Sequence, residues 1–486
     1  MHSRFLKILG AVAVINIISR LLGFAREVVI GYQYGTTSHA DSIISAFTIP
    51  NFLYIVVGGA ITTAFISVYT KLEKERKDTF VQTIFSGLAL LMGSATLVFF
   101  LFPEFWMNVF FSGMSGEAVR LTSELFRWMA PATFFLTMAM ILSGIHNVND
   151  HYRISTFGAL IFNAVFLILG AGLTFIMGEY AYGLGALIGS ILMFSFLLYF
   201  VLQKKLAPIK FRLYALPEMK RFVKLALPIM FGGATIQFYF LIQRMFASHL
   251  EEGVISAMNY ASKMTQFPQA VLMTSVTTIV YPMLSKAVGE NDFDKVKRAY
   301  QKGFRMLFIL LIPASIFIFM YAEDIIRFIF QYGNFSMNST ERTYPLLQIF
   351  SLSVLSLALN TYVTRFFYAM ENSWIPILLN VISVFGVNIL VIWLLIDQYE
   401  AKAIAIGTVI ATMVNLLLLV ILAKRKLGLV VSSWREMGKL LPFLCISTFF
   451  IILSGWIPIS APVFSLLAGG GVTLIFIIAG FYRFRS

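Results

Sequence analysis

The sequence predicts an all-α integral membrane protein with about fourteen transmembrane helices. Of its 486 residues, 59% are hydrophobic and only 12% are charged, whereas soluble domains carry about 25% charged residues. Apolar runs of the length that spans a bilayer, about 20 residues, recur along the whole chain, and no long polar stretch separates them. We therefore expect neither a soluble domain nor a disordered tail.

Fourteen apolar segments, bounded by charged residues or by Pro and Gly, are the predicted spans. They cover 8–31, 41–70, 80–102, 119–146, 154–177, 181–203, 221–248, 254–285, 300–322, 343–370, 374–396, 401–423, 438–456 and 461–482. The apolar run at 104–116 is assigned to the outer interface. The first run continues past Arg20 without a convincing cleavage site, so it is predicted to be an uncleaved helix and not a signal peptide.

Basic residues predict the orientation of these helices. Lysine and arginine concentrate in the loops after the second, sixth, eighth and twelfth predicted helices and at the C-terminus, and the intervening loops carry few. Only the loop after the ninth helix, with Arg327 and Arg342, departs from this alternation. Because cytoplasmic loops carry the excess of basic residues, both termini are expected in the cytoplasm. The same rule accounts for the net charge of +14, so no nucleic-acid partner is predicted.

A weak internal repeat divides the spans into two groups of six. Ile44-Ser45-Ala46 in the second helix matches Ile255-Ser256-Ala257 in the eighth. Parallel repeats with the substrate between them are a common transporter plan. The predicted parts are an N-lobe at 1–217, a C-lobe at 218–430 and a C-terminal helix pair at 431–486.

Charged residues inside the predicted spans are the candidate site. Arg20 lies deep in the first helix and Lys263 occupies a corresponding region of the eighth, so both are expected in a functional cavity. Arg26 lies nearer the outer face, and Asp41 at the start of the second helix is its predicted carboxylate partner. Arg244 is expected to snorkel or to serve a structural role. The excess of buried cations predicts an anionic substrate, because guanidinium groups bind phosphate through two parallel hydrogen bonds.

Signatures of enzymes and metal sites are missing from the sequence. There is no phosphate-binding loop, no H-E-x-x-H motif and no nucleophile elbow, and the five histidines are scattered. The single cysteine, Cys445, excludes an intramolecular disulfide and a thiolate-rich metal site. We expect no enzymatic activity, no cofactor and no metal centre.

Four ordered motifs resemble the MurJ/MviN lipid II flippase family of the MOP exporter superfamily. The first is Ser19-Arg20-Leu21-Leu22-Gly23-Phe24-Ala25-Arg26-Glu27, and the second is Asp41 followed by Phe47 and Pro50-Asn51. The third is Phe267-Pro268 with Pro282-Met283-Leu284-Ser285-Lys286, and the fourth is Phe330-Gln331-Tyr332-Gly333-Asn334-Phe335. The resemblance covers roughly residues 5–425.

The resemblance implies transport of an undecaprenyl-diphosphate-linked sugar precursor from the inner to the outer leaflet of the bacterial cytoplasmic membrane by alternating access. It assigns Arg20, Arg26 and Lys263 to the diphosphate, with Asp41 ordering Arg26 or gating the outer side. The expected partners are this glycan lipid and membrane lipids. Cell-wall synthesis enzymes are candidate partners, and a monomer is sufficient for the mechanism.

Two positions depart from the family pattern. Lys263 stands where the family usually has arginine, and Phe52 follows Pro50-Asn51 where the family typically has an arginine. The seventh and eleventh helices offer Gln237, Asn380 and Asn388 but no carboxylate, so sodium coupling is not supported and membrane potential is the fallback.

Three other functions stay open on the sequence alone. The missing cation after Asn51 favours a flippase for another lipid-linked glycan, such as a capsule, exopolysaccharide or teichuronic-type unit. A cation-coupled drug exporter would need a membrane carboxylate in the first lobe beyond Asp41, and none is identified. A membrane enzyme acting on polyprenyl phosphates would usually need a sizeable extramembrane loop, and the outer loops are short.

Overall fold

The computed structural model describes residues 2–290, 292–370, 372, 374–431, 434–457 and 461–484. All regular secondary structure in these ranges is helical. Packing divides the chain into two compact units, Met1–Ser256 and Ala257–Ser486. These units are defined by contacts within the fold, whereas the predicted lobes were defined by the internal repeat. The lobes at 1–217, 218–430 and 431–486 therefore remain a prediction.

Unit 1 contains ten helices and the first residues of an eleventh. They are α1 (His2–Tyr34), α2 (Ser38–Leu53), α3 (Gly59–Tyr69), α4 (Lys74–Leu101), α5 (Pro103–Phe110), α6 (Gly116–Val148), α7 (Tyr152–Met177), α8 (Tyr180–Gln203), α9 (Pro217–Gly233), α10 (Thr235–Ala247) and the start of α11 (Val254–Gly289). A π-helical turn, Tyr54–Gly58, follows Pro50 and joins α2 to α3 in one membrane span, Ser38–Tyr69. Proline lacks the N–H of a regular helix, so the chain around it is not an ideal α-helix.

Small residues allow α7 and α8 to pack closely. A Cβ atom added to Gly185 would lie 3.0 Å from the carbonyl oxygen of Phe166, and one added to Gly189 would lie 3.0 Å from that of Phe162. Spacing of small residues by four is typical of packed membrane helices, because backbones can then approach each other. Through this packing, α8 supports α7, which in turn packs against α1 and places Phe166 beside Phe47 of α2.

Unit 2 contains the rest of α11 and nine further helices. They are α12 (Phe293–Met320), α13 (Ala322–Phe330), α14 (Met337–Ser351), α15 (Ser353–Ala369), α16 (Trp374–Val381), α17 (Ile389–Tyr399), α18 (Ala401–Leu427), α19 (Trp434–Gly455) and α20 (Pro462–Arg483). A π-helical turn, Ile382–Asn388, joins α16 to α17. The core holds an aromatic cluster in which the Tyr300 and Tyr362 rings lie 5.0 and 5.1 Å from the Phe366 ring.

Each of the fourteen predicted segments is helical in the structure, but the number of spans is not confirmed. Among the described residues, ten helices are long and apolar enough to cross a membrane, or eleven if the bent pair α14–α15 counts as one span. The predicted seventh span is broken at Ala234 into α9 and α10. From residue 10 to the end of α1 at Tyr34, every 18-residue stretch includes three charges, those of Arg20, Arg26 and Glu27.

Large apolar side chains are exposed on both units, as a bilayer requires. Phe175 in unit 1 is 83% exposed and Trp393 in unit 2 is 68% exposed. Soluble monomers rarely expose large contiguous apolar patches, whereas hydrocarbon chains solvate such side chains well. Together with the helix lengths, this exposure indicates a multi-pass membrane protein.

Candidate functional site

The two arginines of α1 occupy different environments. Arg20 is exposed, and no side chain or carbonyl in the described part of the chain hydrogen-bonds to its guanidinium. α1 is one continuous helix across Gly23, which lies between the two arginines. The missing side chain of Gly23 lets Asn163 of α7 approach, since an added Cβ would lie 3.3 Å from its Oδ1 atom.

Arg26 is enclosed by a carboxylate and two aromatic rings. Its Nη2 atom donates to Glu27 Oε1 over 2.8 Å, and the two side chains are only 11% and 7% exposed. Its guanidinium carbon lies 4.3 Å from the Phe166 ring centroid and 5.3 Å from that of Phe47. Aromatic faces attract a cation most strongly where water is excluded, so helices α1, α2 and α7 together hold this charge in place.

Arg244 brings a second cation close to this pair. Its Nη1 atom donates to Thr48 Oγ1 of α2 over 2.8 Å, and it lies within electrostatic range of Glu27 and Arg26. The sequence predicted snorkelling or a structural role for Arg244. The structure places it beside the charged residues of α1, and only the packing of α10 on α2 reveals that proximity.

Phe52 occupies the position after Pro50-Asn51 at which the family pattern typically has an arginine. Its ring packs edge-to-face against Phe238 of α10, with 5.1 Å between the centroids. The same helix carries Arg244 to Thr48, one turn before Phe52 on α2. The region around the second motif therefore has a cation, but α10 supplies it and α2 does not.

The predicted pair between Asp41 and a helix-1 arginine is wrong. Asp41 is 4% exposed, and its two oxygens accept the backbone N–H groups of Gly253 and Ser256, each over 2.7 Å. These donors belong to the start of α11, where the first turn of a helix leaves N–H groups without partners inside the helix. A carboxylate there also interacts favourably with the helix dipole. Asp41 is thus a cap that joins α2 to the first turn of α11.

Backbone geometry beside this cap admits only glycine. Gly253 has φ +90°, a conformation that other residues rarely adopt, and an added Cβ would overlap the carbonyl oxygen of Thr36. The chain between α1 and α2 therefore lies directly against the turn that precedes α11. This close approach aligns the N–H groups of α11 with the Asp41 carboxylate.

Lys263 lies in unit 2, on α11, nine residues after the helix begins at Val254. Its side chain is partly buried, next to the buried polar residues Ser262 and Asn259. Of the four predicted site residues, the structure therefore assigns Arg20, Arg26 and Asp41 to unit 1 and Lys263 to unit 2. Their assignment to substrate remains a prediction.

Glu27 is the residue that the sequence reasoning passed over. The first lobe was expected to contain no membrane carboxylate beyond Asp41, and Glu27, at 5% exposure inside α1, shows that expectation to be wrong. The signal was present in the sequence, because a carboxylate in an apolar helix is costly without a partner or a function. Because Glu27 directly follows Arg26, it was interpreted only as a neighbour of that arginine and not as a separate buried carboxylate.

Unit 2 contains a buried cluster of neutral amides. Asn415 donates to Asn380 Oδ1 over 2.7 Å, and Asn360 donates to the Thr412 carbonyl over 3.0 Å. Asn388, in the π-helical turn, is fully buried, and neither of its amide atoms has a hydrogen-bond partner among the described residues. In the described ranges, no group of three or more His, Cys, Asp or Glu residues is placed to hold a metal ion.

Comparisons with known proteins point in one direction. A family model described as lipid II flippase MurJ matches residues 30–477. A probable lipid II flippase MurJ from Buchnera aphidicola subsp. Schizaphis graminum is 24% identical over 92% of this chain and 89% of its own length. The lipid II flippase MurJ of Burkholderia cenocepacia is 24% identical over 74% of this chain and 73% of its own length.

Solved structures share the fold. A lipid II flippase MurJ in an inward closed conformation superposes with a TM-score of 0.84 at 24% identity, covering 98% of this chain and 99% of that one. An inward-facing multidrug resistance MATE family transporter of the MOP superfamily superposes with a TM-score of 0.70 at 14% identity, covering 84% and 96%. At these sequence identities, the structural similarity establishes the fold only. The substrate has to be inferred from the residues of the site.

Proposed function

Because this chain belongs to the lipid II flippase MurJ family, we propose that it moves an undecaprenyl-diphosphate-linked sugar precursor, lipid II, from the inner to the outer leaflet by alternating access. It is a multi-pass protein of the bacterial inner membrane and a transporter, not a catalyst. The product of this step is the lipid-linked precursor that peptidoglycan synthesis consumes on the outer side. The required partners are therefore the glycan lipid and the surrounding membrane lipids.

The excess of cations within apolar helices is the observation that carries this proposal. Around Phe47 and Phe166, Arg26 pairs with Glu27, and Arg244 lies within electrostatic range of both. A charge at the centre of a membrane helix costs about 2.5–3.5 kcal/mol on insertion scales, so cations kept within such helices indicate a function. A diphosphate is the lipid-linked group that carries the complementary charge and geometry.

In this proposal, Arg20, Arg26 and Lys263 bind the diphosphate. The exposure of Arg20 supports this role, because its guanidinium donors are then available to a ligand. Lys263 would act as a point charge, because an ammonium group lacks the planar fork of arginine. Asp41 would gate the outer side through the first turn of α11 and not through Arg26.

The finer architecture belongs to the same proposal. It has fourteen spans, with an N-lobe at 1–217, a C-lobe at 218–430, a C-terminal pair at 431–486 and both termini in the cytoplasm. Support comes from the helix found in each predicted segment and from the alternation of basic loops. A monomer is sufficient, and cell-wall synthesis enzymes are candidate partners.

A second candidate substrate is another lipid-linked glycan, such as a capsule, exopolysaccharide or teichuronic-type unit. Phe52 favours it, because this position packs against Phe238 and supplies no cation. Both substrates carry the same diphosphate, so the cationic residues do not distinguish them. The sugar moiety does, and rescue of a defined growth defect separates the two.

Complementation tests the proposal directly. The chain is expressed in a bacterium depleted of its own lipid II flippase, beside Arg20→Ala, Lys263→Ala and, as a charge-matched control, Arg120→Ala. Arg120 pairs with Glu124 on an exposed surface. Each lost charge-assisted contact should weaken substrate binding by about 1.5–3 kcal/mol, or roughly 10- to 150-fold. We expect the native chain and the control to restore growth and the two site variants to fail at matched membrane levels.

The opposite outcome redirects the assignment. A native chain that is well expressed in the membrane and does not restore growth would exclude lipid II as its substrate in that host. The second candidate then takes precedence. It is tested by restoring surface glycan in a strain that lacks the corresponding flippase.

A further inference from the structure

The linker between α8 and α9, residues 204–216, lies against α4 through its backbone. The N–H of Arg212 donates to Ser86 Oγ over 2.8 Å, and the N–H of Tyr214 donates to Thr83 Oγ1 over 3.3 Å. N–H groups two residues apart thus face one helix, as they do in an extended chain. Because non-helical backbone near hydrocarbon needs such partners, the hydroxyl groups of α4 determine the path of the linker.

These contacts place the linker at the edge of the bilayer. Ser86 is six residues inside the predicted span 80–102, which corresponds to roughly 9 Å along the helix. Interfacial segments bury their apolar side about 5–10 Å into the boundary between head groups and acyl chains. At this level the linker exposes Leu213 and Phe211, the latter at 63%. Acyl chains at this depth can solvate both side chains.

Basic side chains surround these apolar ones. Between residues 204 and 224, the chain has one acidic residue, Glu218, which pairs with Arg76 of α4 over 2.6 Å. The same stretch has seven basic residues, all of them exposed: Lys204, Lys205, Lys210, Arg212, Lys220, Arg221 and Lys224. None of the seven has a carboxylate within ion-pairing distance in the described ranges. Together these seven residues form what we call the basic surface.

Another basic stretch of the chain differs from the basic surface. After α11, Lys286 pairs with Glu290, and Lys295 pairs with both Glu290 and Asp292. Membrane orientation requires only that basic residues be present in a loop, and both stretches satisfy that requirement. The basic surface is distinguished by its lack of carboxylate partners within the described chain, which indicates that its counter-charge comes from another molecule.

Helix α9 continues the basic surface into the bilayer. Lys220, Lys224, Leu227 and Phe231 are all exposed. They follow one another at intervals of four, three and four residues, so they share one face of the helix. The charged residues come first and the apolar residues follow. This order matches a phospholipid, in which a charged head group is followed by acyl chains.

We infer that the basic surface binds anionic phospholipids of the inner leaflet. Lipid phosphate groups supply the counter-charge for its lysines and arginines, and acyl chains cover Phe211, Leu213 and the exposed face of α9. Each Lys or Arg close to an anionic leaflet strengthens binding about fivefold. The inference goes beyond the proposed function and takes from it only the cytoplasmic location of the linker. Bound lipid anchors the connection between α8 and α9 at the inner leaflet.

Lipid selectivity beside the linker tests the inference. The single cysteine is replaced, Cys445→Ser, and a fluorophore is attached through Ala215→Cys at an exposed position of the linker. The full-length chain is reconstituted in phosphatidylcholine vesicles that contain a small fraction of nitroxide-labelled phosphatidylglycerol or nitroxide-labelled phosphatidylcholine. Quenching should show that phosphatidylglycerol is enriched at least about fivefold. High salt should reduce this enrichment, because exposed charges are screened.

Two charge-matched variants separate a binding site from a general effect of charge. The first neutralises four cations of the basic surface and should be quenched equally by both lipids: Lys210→Gln, Arg212→Gln, Lys220→Gln and Arg221→Gln. The second neutralises four cations of the stretch after α11 and should keep the native selectivity: Lys286→Gln, Lys295→Gln, Lys297→Gln and Arg298→Gln. The salt dependence is measured without any charge substitution, so it stays informative if a variant fails to fold.

The inference can fail separately from the proposed function. Equal quenching by the two lipids in the chain that keeps all its charges overturns it, as does selectivity that survives the first variant. Undecaprenyl diphosphate that removes the selectivity at a mole fraction where unlabelled phosphatidylglycerol does not would also overturn it, because the surface would then bind substrate and not phospholipid. Growth rescue tests the proposed function, and a chain that fails to rescue growth can still show the lipid selectivity.

Discussion

The two units bury different kinds of polar group. Unit 1 buries the carboxylates of Glu27 and Asp41, whereas every buried polar side chain described in unit 2 is neutral. A buried charge requires a specific counter-group and is highly sensitive to its removal. A buried amide needs only a hydrogen-bond partner, which a second amide such as Asn380 for Asn415 can provide. Among the described residues, the buried polar side chains that depend on an ionic or charge-assisted partner therefore lie in unit 1.

Within unit 1, the two buried carboxylates also differ. Asp41 is satisfied by two backbone N–H groups, which cannot leave without moving α11. Glu27 accepts from a side chain, that of Arg26, over 2.8 Å. Asp41 is therefore tied to the position of the α11 backbone, whereas Glu27 pairs with a neighbouring side chain on the same helix. Substitutions at these positions should differ in effect accordingly.

Removing the Asp41 carboxylate should have the largest effect. Asp41→Ala leaves two N–H groups of α11 without an acceptor in a buried site, which should cost about 2–5 kcal/mol and abolish growth rescue. Thermal unfolding of the purified chain and complementation measure both effects. Asp397→Ala, which removes an exposed carboxylate, is the matched control. An Asp41→Ala variant as stable and active as this control would show that the cap is dispensable.

Substitutions in the buried amide cluster of unit 2 should change stability less than Asp41→Ala does. One should raise the free energy of unfolding and the other should lower it. Asn388→Leu removes a buried amide that has no hydrogen-bond partner in the described part of the chain and should raise the free energy of unfolding by about 1–2 kcal/mol. Asn380→Leu removes the acceptor of Asn415 and should lower it by about 1–3 kcal/mol. Denaturation of the two variants under identical conditions gives the comparison. Equal destabilisation by both would mean that Asn388 is satisfied in the membrane.

The smallest effect on stability is expected for an arginine–glutamate pair outside the membrane. Glu218 accepts from Arg76 over 2.6 Å, and its own backbone N–H together with Arg76 lowers the pKa of its carboxyl. A carboxyl with a lowered pKa stabilises the fold above the unfolded value, and that contribution disappears as pH falls through the folded value. Glu218→Gln should therefore unfold at a slightly lower temperature at pH 7.

The pH dependence of that difference is the decisive measurement for the exposed pair. The gap between Glu218→Gln and the native chain should close as pH falls below the ordinary glutamate value of 4.5. It should also shrink at high salt, because exposed charges are screened. A gap that persists in acid and in high salt would show that Glu218 acts through packing and not through its charge.

Helix positions were largely predictable from the sequence, and the continuity of the spans was not. Hydropathy located each helical segment, because about 20 apolar residues are needed to cross a bilayer. The interruptions at Ala234 and at the turn Ile382–Asn388 left no comparable signal. Such breaks depend on neighbouring helices that satisfy or tolerate the freed backbone groups, and hydropathy carries no information about those neighbours.

By itself, the sequence determined the class of protein, the helical segments, the family resemblance and the presence of Arg20, Arg26, Asp41 and Lys263 inside apolar helices. Only the tertiary structure decided which groups those charges meet. It brought Arg244 of α10 to Thr48 of α2 and joined Asp41 to the first turn of α11. The physical reason is that hydropathy is a local property of the chain. The partner of a buried charge is set by packing between segments that lie far apart in sequence, with over two hundred residues separating Asp41 from Ser256.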